Sequence, residues 1–268
     1  MWWDRIVLKN RAKNVLRSTY WMVFLATLLF AVLSGVVQFN FEVRMGNSTV
    51  TNWLRQGMDY TPLRFTATFI PWLITTAIEL AVAVFVVGPL HVGLSRFLLC
   101  NAKSPAKLGL LFSAFRQKEY LQAVKGMGLV IVITQGMAII PGFLAIFGQA
   151  FPPLWILQVI GLPLAILSVI FSLIAFAVPF ILAENPGIDA KRALRLSYDM
   201  TLGEKGNMFL LNLSFLGWLL LGAVACGVGV LFVIPYIYAT QAELYGALRI
   251  KAVRCGLCTN QEIGLELF

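Results

Sequence analysis

Glu79 stands in Thr75-Thr76-Ala-Ile-Glu79-Leu-Ala-Val-Ala-Val-Phe85, the one charged residue between Arg64 and Arg96. Counted from residue 66 it is thirteen residues into an apolar run. At helical rise that is roughly 20 Å of depth. A carboxylate so placed costs a few kcal/mol unless it is paired, protonated or facing water. Thr75 and Thr76, four and three residues earlier, share its helical face. Two readings stay open. Glu79 is a proton- or cation-coupling acid in a central cavity, or it is a hydrogen-bonded Glu that locks helices together.

Other residues able to do chemistry are few. Glu243 follows Gln241 and precedes Tyr245, with Arg249 six residues on. An interfacial Glu held by a basic residue is the favoured reading there. Asn212, Ser214 and Gln135 lie inside apolar runs, where such groups act as interhelical hydrogen-bond glue. His91, the single histidine, fits an interfacial or capping role better than a proton shuttle. Cys255-Gly-Leu-Cys258 is a lone pair of thiols, whereas zinc wants four ligands. The links carry no phosphate loop, no Gly-x-Ser-x-Gly and no His-Glu-x-x-His. Neither an enzyme nor a cofactor or metal site is expected.

These residues need helices in lipid to position them. Of 268 residues, 59% are hydrophobic and 12% charged, and mean hydropathy is +0.83. Soluble domains carry about a quarter charged residues. Six apolar runs reach spanning length, roughly 20–37, 66–90, 127–148, 154–183, 208–225 and 230–250. The first has a long apolar core and no Ala-x-Ala at its end, so it reads as a span and not a cleaved leader. Of 21 Lys and Arg residues, 18 fall in the N-terminal segment, 91–126, 184–207 and the tail. Arg44, Arg55 and Arg64 fall on the other side. The positive-inside rule then puts both termini in the cytoplasm. The net charge of +9 serves retention and contact with anionic headgroups. Nucleic acid is not an expected partner, because the cations flank apolar runs. Asn47-Ser48-Thr49, in the one sizeable outer loop (38–65), matches an N-glycosylation pattern that has meaning only in a secretory membrane.

One short pattern recurs: AKNVLRSTY at 12–20, AKLGLLFSA at 106–114 and AKRALRLSY at 190–198. Each copy precedes an odd-numbered run. Its apolar and basic residues separate at helical spacing, which predicts a short basic amphipathic helix in the headgroup layer. Lys13, Arg17, Lys107, Lys191 and Arg195 are its expected lipid contacts. A second feature closes each unit: Pro89, Pro179 and Pro235, each behind an apolar stretch. A proline removes a donor and bends a helix, and in lipid the freed carbonyl must find a partner inside the protein. The expected fold is therefore a single all-α integral membrane domain over 1–268. Six transmembrane helices form three hairpins, each preceded by an interfacial helix. The pseudo-repeats run about 1–100, 101–186 and 187–250, with a cytoplasmic tail at 251–268.

The strings Ser197-Tyr-Asp-Met200, Gly203 to Lys205, Leu213-Ser214-Phe215-Leu-Gly217-Trp218, Gly227-Val-Gly229 and Pro235-Tyr236 resemble the bacterial integral-membrane family catalogued as domain of unknown function 975. Pro89-Leu90 with Gly93 and Arg96, then Leu111-Phe112 and Phe115, and Ala183-Glu184-Asn185-Pro186 look like the same family. The resemblance runs from about residue 85 onward. Glu204 departs from it, where a His or small polar residue is expected. It implies no assigned chemistry. The family is distantly similar to the membrane domain of some glycerophosphodiester phosphodiesterases, which hints at lipid-related work.

The function expected is that of a non-enzymatic scaffold or accessory factor for envelope, lipid or export machinery, working with a membrane-protein partner or a second copy. The alternative is a transporter of small solutes or lipid with Glu79 in a central cavity.

Overall fold

The computed structural model describes residues 3–45, 62–150, 156–224, 228–260 and 262–263, and every regular element among them is helical. The order is α1 (Arg5–Met45), α2 (Pro62–Val82), a π-helical turn (Ala83–Val87), α3 (Gly88–Asn101), a 3-10 segment (Leu108–Phe115) and α4 (Gln117–Ala150). Then follow α5 (Ile156–Ile174), a 3-10 turn (Ala175–Ala177), α6 (Val178–Glu184), α7 (Ala190–Thr201), α8 (Lys205–Leu213), α9 (Leu216–Val224) and α10 (Val228–Arg254). Among the described residues, four stretches are long and apolar enough to cross a membrane: Arg5–Gly35, Leu73–Asn101, Ile166–Glu184 and Lys205–Val224. They are compatible with a membrane protein. α4 and α10 cover the two remaining apolar runs, 127–148 and 230–250.

Helices with so few polar side chains must satisfy those they have. Thr27, Ser34, Thr134 and Thr240 each donate a hydroxyl to the carbonyl four residues back. That keeps the polar group inside its own helix. Outward faces are apolar: Ile78, Ile166, Val169, Trp218, Leu221 and Val224 are all exposed. A water-facing surface is not built this way.

The three prolines share a further feature. Pro89 has no N–H for the carbonyl of Phe85, and the Tyr120 hydroxyl donates to that carbonyl at 3.0 Å. Ahead of Pro179 the helix tightens to a 3-10 turn. Val178 N donates to Ala175 O, and Ser197 Oγ both donates to Ile174 O (2.5 Å) and accepts from Ala177 N (3.1 Å). Pro235 lies inside α10, and Tyr20 donates to Phe232 O, one residue from the carbonyl that Pro235 leaves, at 3.1 Å. Around Pro89 and Pro179 the backbone departs from α geometry, while Pro235 interrupts no helix.

α1 lies along α10, α4 along α5, and α9 along α10, while α3 packs against α6, α10 and the 3-10 segment. The core gathers around the segments that follow the prolines. Leu94 and Phe97 of α3, Ile181 and Leu182 of α6, and Tyr245 and Leu248 of α10 are all sealed from solvent. The Phe180 and Tyr245 rings stack at 5.0 Å.

The recurring pattern does not fold alike in its three places. The first copy is no separate surface helix. It is part of α1, which runs unbroken from Arg5 to Met45, and Lys13 reaches across to the Tyr236 ring, 5.8 Å from its centroid. The second is no α-helix: Lys107 is extended and Leu108–Phe115 is 3-10. Pro105 precedes it, and its chain presses on α3 so closely that a Cβ on Gly93 would stand 1.9 Å from Leu111 O. Tertiary packing overrides the helical spacing there. Only the third copy is the expected amphipathic helix. This is α7, whose N-cap Asp189 accepts from Lys191 N, and which is followed by Gly203 at φ +78°, a value that favours glycine. The run at 208–225 is likewise split, by a turn at Ser214–Phe215 between α8 and α9.

Candidate functional site

The densest polar constellation lies where α3, α6 and α10 end. Glu184, the last residue of α6, is the only acid between Glu119 and Asp189 in the sequence. Its side chain is 1% exposed. Tyr245 Oη donates to Glu184 Oε2 at 2.6 Å, and Arg249 Nη1 donates to Oε1. Both donors come from one face of α10, four residues apart, so a single helix turn grips both oxygens. A buried carboxylate is tolerable only with such partners.

Arg96 of α3 joins the next positions. Its Nε donates to Ala183 O at 3.0 Å, and its Nη1 pairs with Glu119 Oε2 at 2.6 Å. The guanidinium thus sits at the carbonyl end of α6 and the carboxylate in the first turn of α4, both favourable against the helix dipoles. A third cation, Lys251, donates to Leu202 O (2.7 Å) and Met200 O (3.3 Å) at the end of α7, satisfying carbonyls with no helical partner.

The tail closes over this lattice. Arg192 of α7 donates Nε and Nη2 to the two oxygens of Glu262, at 2.6 and 3.1 Å, and Nη2 also to Leu257 O. Asn185 holds Glu262 O through Nδ2 and accepts from Gly187 N through Oδ1. The Arg192 hydrogen bond holds the Glu262 carboxyl below the usual carboxylate range and raises the guanidinium in turn. Burial, with the Glu262 carboxylate near, pushes the Cys258 thiol up to about 11. Cys255 is exposed, and both thiols are free. On the neighbouring side, Asn101 Nδ2 donates to Thr19 Oγ1 at 2.9 Å, tying the end of α3 to α1.

Chemically, this arrangement holds. Both oxygens of Glu184 are engaged and the group is closed to solvent, so it offers no free nucleophile or base. It welds helix ends to one another.

The residues singled out in the sequence are dispersed. Thr75, Thr76 and Glu79 are half-buried on α2, where both Thr75 and Glu79 have interaction partners. α2 packs on α1 and α4, whereas α8, which carries Asn212, packs on α5. Asn212 is exposed and donates to Met208 O of its own helix. Gln241 and Glu243 are half-buried on α10. Arg249, the basic residue six positions beyond Glu243, is paired with Glu184. His91 faces Phe30, ring centroids 5.4 Å apart. Lys13, Arg17, Lys107, Lys191 and Arg195 are all exposed. Asn47-Ser48-Thr49 and Cys226 lie outside the described residues.

Residue chemistry alone points to none of Glu184, Tyr245 and Arg96, and it offers Arg249 to Glu243, not to Glu184. The signal for Glu184 was its isolation, a lone acid at the end of a long apolar run.

The family described as Protein of unknown function (DUF975) matches residues 118–252, just over half of the chain. The chain belongs to this family. The DUF975 match takes in Glu119, Glu184, α7, Tyr245, Arg249 and Lys251, and leaves Arg96 and Glu262 outside it. Nothing among the curated proteins or the solved structures matches the chain, so no comparison bears on the likeness to phosphodiesterase membrane domains.

Proposed function

We propose that this DUF975 protein is a non-enzymatic scaffold or accessory factor of the bacterial cytoplasmic membrane, spanning it six times with both termini inside. The carrying observation is the closed Glu184–Tyr245–Arg249 group amid sealed apolar side chains of α3, α6 and α10. A carrier needs an interior whose polar groups can exchange partners with a solute. Here the central acid is fully engaged, and the other polar candidates are spread over α2, α8 and α10. Four of the cations that set the topology, Arg96, Arg192, Arg249 and Lys251, have defined carboxylate or carbonyl partners. They brace a fixed surface of α7, the 3-10 segment and the tail against the bilayer. On that surface Phe112 and Phe115 stand exposed, which suits contact with a membrane protein or a second copy. The hydroxyl contacts at the three prolines support the reading as three related units. Each comes from the unit that follows, with the first unit serving the third.

Cysteine accessibility tests the reading. With native cysteines replaced, single cysteines go to positions 75, 79, 83, 50 and 260. Residues 75, 79 and 83 should resist a small aqueous thiol reagent from both sides, and 50 and 260 should label from opposite sides. Labelling of all three intramembrane positions would instead support a solute path at Glu79. Labelling of 50 and 260 from one side would overturn the layout.

A further inference from the structure

α7 uses its three cations in two ways. Arg192 turns toward the tail and is consumed by Glu262 and Leu257. Lys191 and Arg195 turn the other way, one helix turn apart, and neither has an ion pair among the described residues. They stand at the mouth of an open groove of about 370 Å³ between α4, α5 and α7. Its walls are apolar, formed by Leu129, Phe171, Ile174 and Leu194. Tyr198 lines it as well, and Lys205 Nζ lies over that ring at 4.6 Å. The floor belongs to Ile166–Glu184, one of the stretches apolar enough to cross a membrane.

We propose that this groove binds one anionic phospholipid, its phosphate on Lys191 and Arg195 and part of an acyl chain against Phe171, Ile174 and Leu129. The charge and the apolarity are arranged in the order in which a phospholipid presents them. Two unpaired cations one turn apart fit a phosphate, and cations close to an anionic surface attract it by about 1 kcal/mol each. Apolar walls directly below have no use for a free anion. The inference rests on α7 lying at the membrane surface, as in the reading above, and gives that surface a defined ligand.

The test uses the full chain purified in a neutral detergent and examined by native mass spectrometry with added phosphatidylglycerol, phosphatidylcholine or inorganic phosphate. One phosphatidylglycerol should be retained with a preference of about tenfold or more over phosphatidylcholine. K191Q/R195Q should reduce that preference to near parity, while R5Q and R254Q, exposed cations elsewhere, should leave it intact. Leu194→Gln should weaken retention of both lipids. Melting curves without added lipid establish that the variants fold, since both replaced cations are exposed. An unchanged preference in K191Q/R195Q, equal retention of the two lipids by the parent, or full displacement by millimolar phosphate would each overturn the proposal. Failure here leaves the closed interior untouched. Conversely, thiol labelling at 75, 79 and 83 with lipid retention intact would remove the scaffold reading and keep the groove.

Discussion

A carboxylate buried to 1% exposure between a phenol and a guanidinium is sensitive to losing one partner, not to losing the whole set. Arg249→Met strands an unpaired acid, and Glu184→Gln strands an unpaired guanidinium. Each should cost about 3–5 kcal/mol, and the double variant much less than the sum. Thermal melts in detergent check this, and additive losses would mean that the pair is not coupled. The two thiols of the tail should differ as sharply. Cys255 is exposed, while Cys258 is buried with its thiol pushed up to about 11. At pH 7.5 iodoacetamide should modify Cys255 in the folded protein and spare Cys258, as peptide mass mapping will reveal. The clamp on Glu262 sets a pH dependence. Its carboxyl is held low by Arg192, so its contribution is complete above the ordinary carboxylate value of about 4.3 and disappears as pH falls through the lowered one. With the pair partly exposed, the effect is at most about 1 kcal/mol. Glu262→Gln should therefore melt slightly below the parent at pH 7, and the gap should narrow as pH falls through the carboxylate range.

At the scale of elements, the prolines show what an apolar helix requires where a backbone donor is missing. Ser197 completes the backbone of a different helix, accepting from Ala177 N and donating to Ile174 O. Ser197→Ala leaves both groups unserved and should cost about 1–3 kcal/mol, while Ser197→Thr, which keeps the hydroxyl, should recover part of it. Comparing the melting midpoints of the three proteins settles the matter. The need for internal partners near Pro89, Pro179 and Pro235 was legible from the sequence, since it follows from a missing N–H. The identity of the donors was not. Tyr120, Ser197 and Tyr20 lie 35, 23 and 212 residues from the carbonyls they serve, and only the packed chain brings them there. The fate of the repeated pattern has the same cause. Helical spacing is present in all three copies, but Gly93 admits the 106–114 copy so close to α3 that its local preference loses. The 190–198 copy, begun by Asp189 and closed before Gly203, keeps its own signals and its predicted shape.

For the whole molecule, composition and apolar runs were enough to give a helical chain with stretches long and apolar enough to cross a membrane, because length and hydropathy act locally. What they could not give was the order of packing. Consecutive helices pair in α4 with α5 and α9 with α10, yet α1 lies along α10, at the far end of the sequence. Nor could they single out Glu184 above Glu79. Depth in an apolar run measures the cost of a charge, whereas its role depends on which donors another helix brings. Membership of the DUF975 family fits this division, since the match includes the acid and its two donors on α10.

The contact of α1 with α10 through Tyr20 on Phe232, with Thr19 also held by Asn101 of α3, fastens the chain like the clasp of a bracelet. A bracelet can also be opened at a link away from its clasp. The exposed stretch Ala102–Pro105 is such a link. Co-expressed pieces 1–103 and 104–268 should assemble in the membrane and co-purify, while the larger piece made alone, lacking the helix that covers α10, should be degraded. If the larger piece alone is as abundant as the intact protein, the clasp contributes nothing to holding it closed.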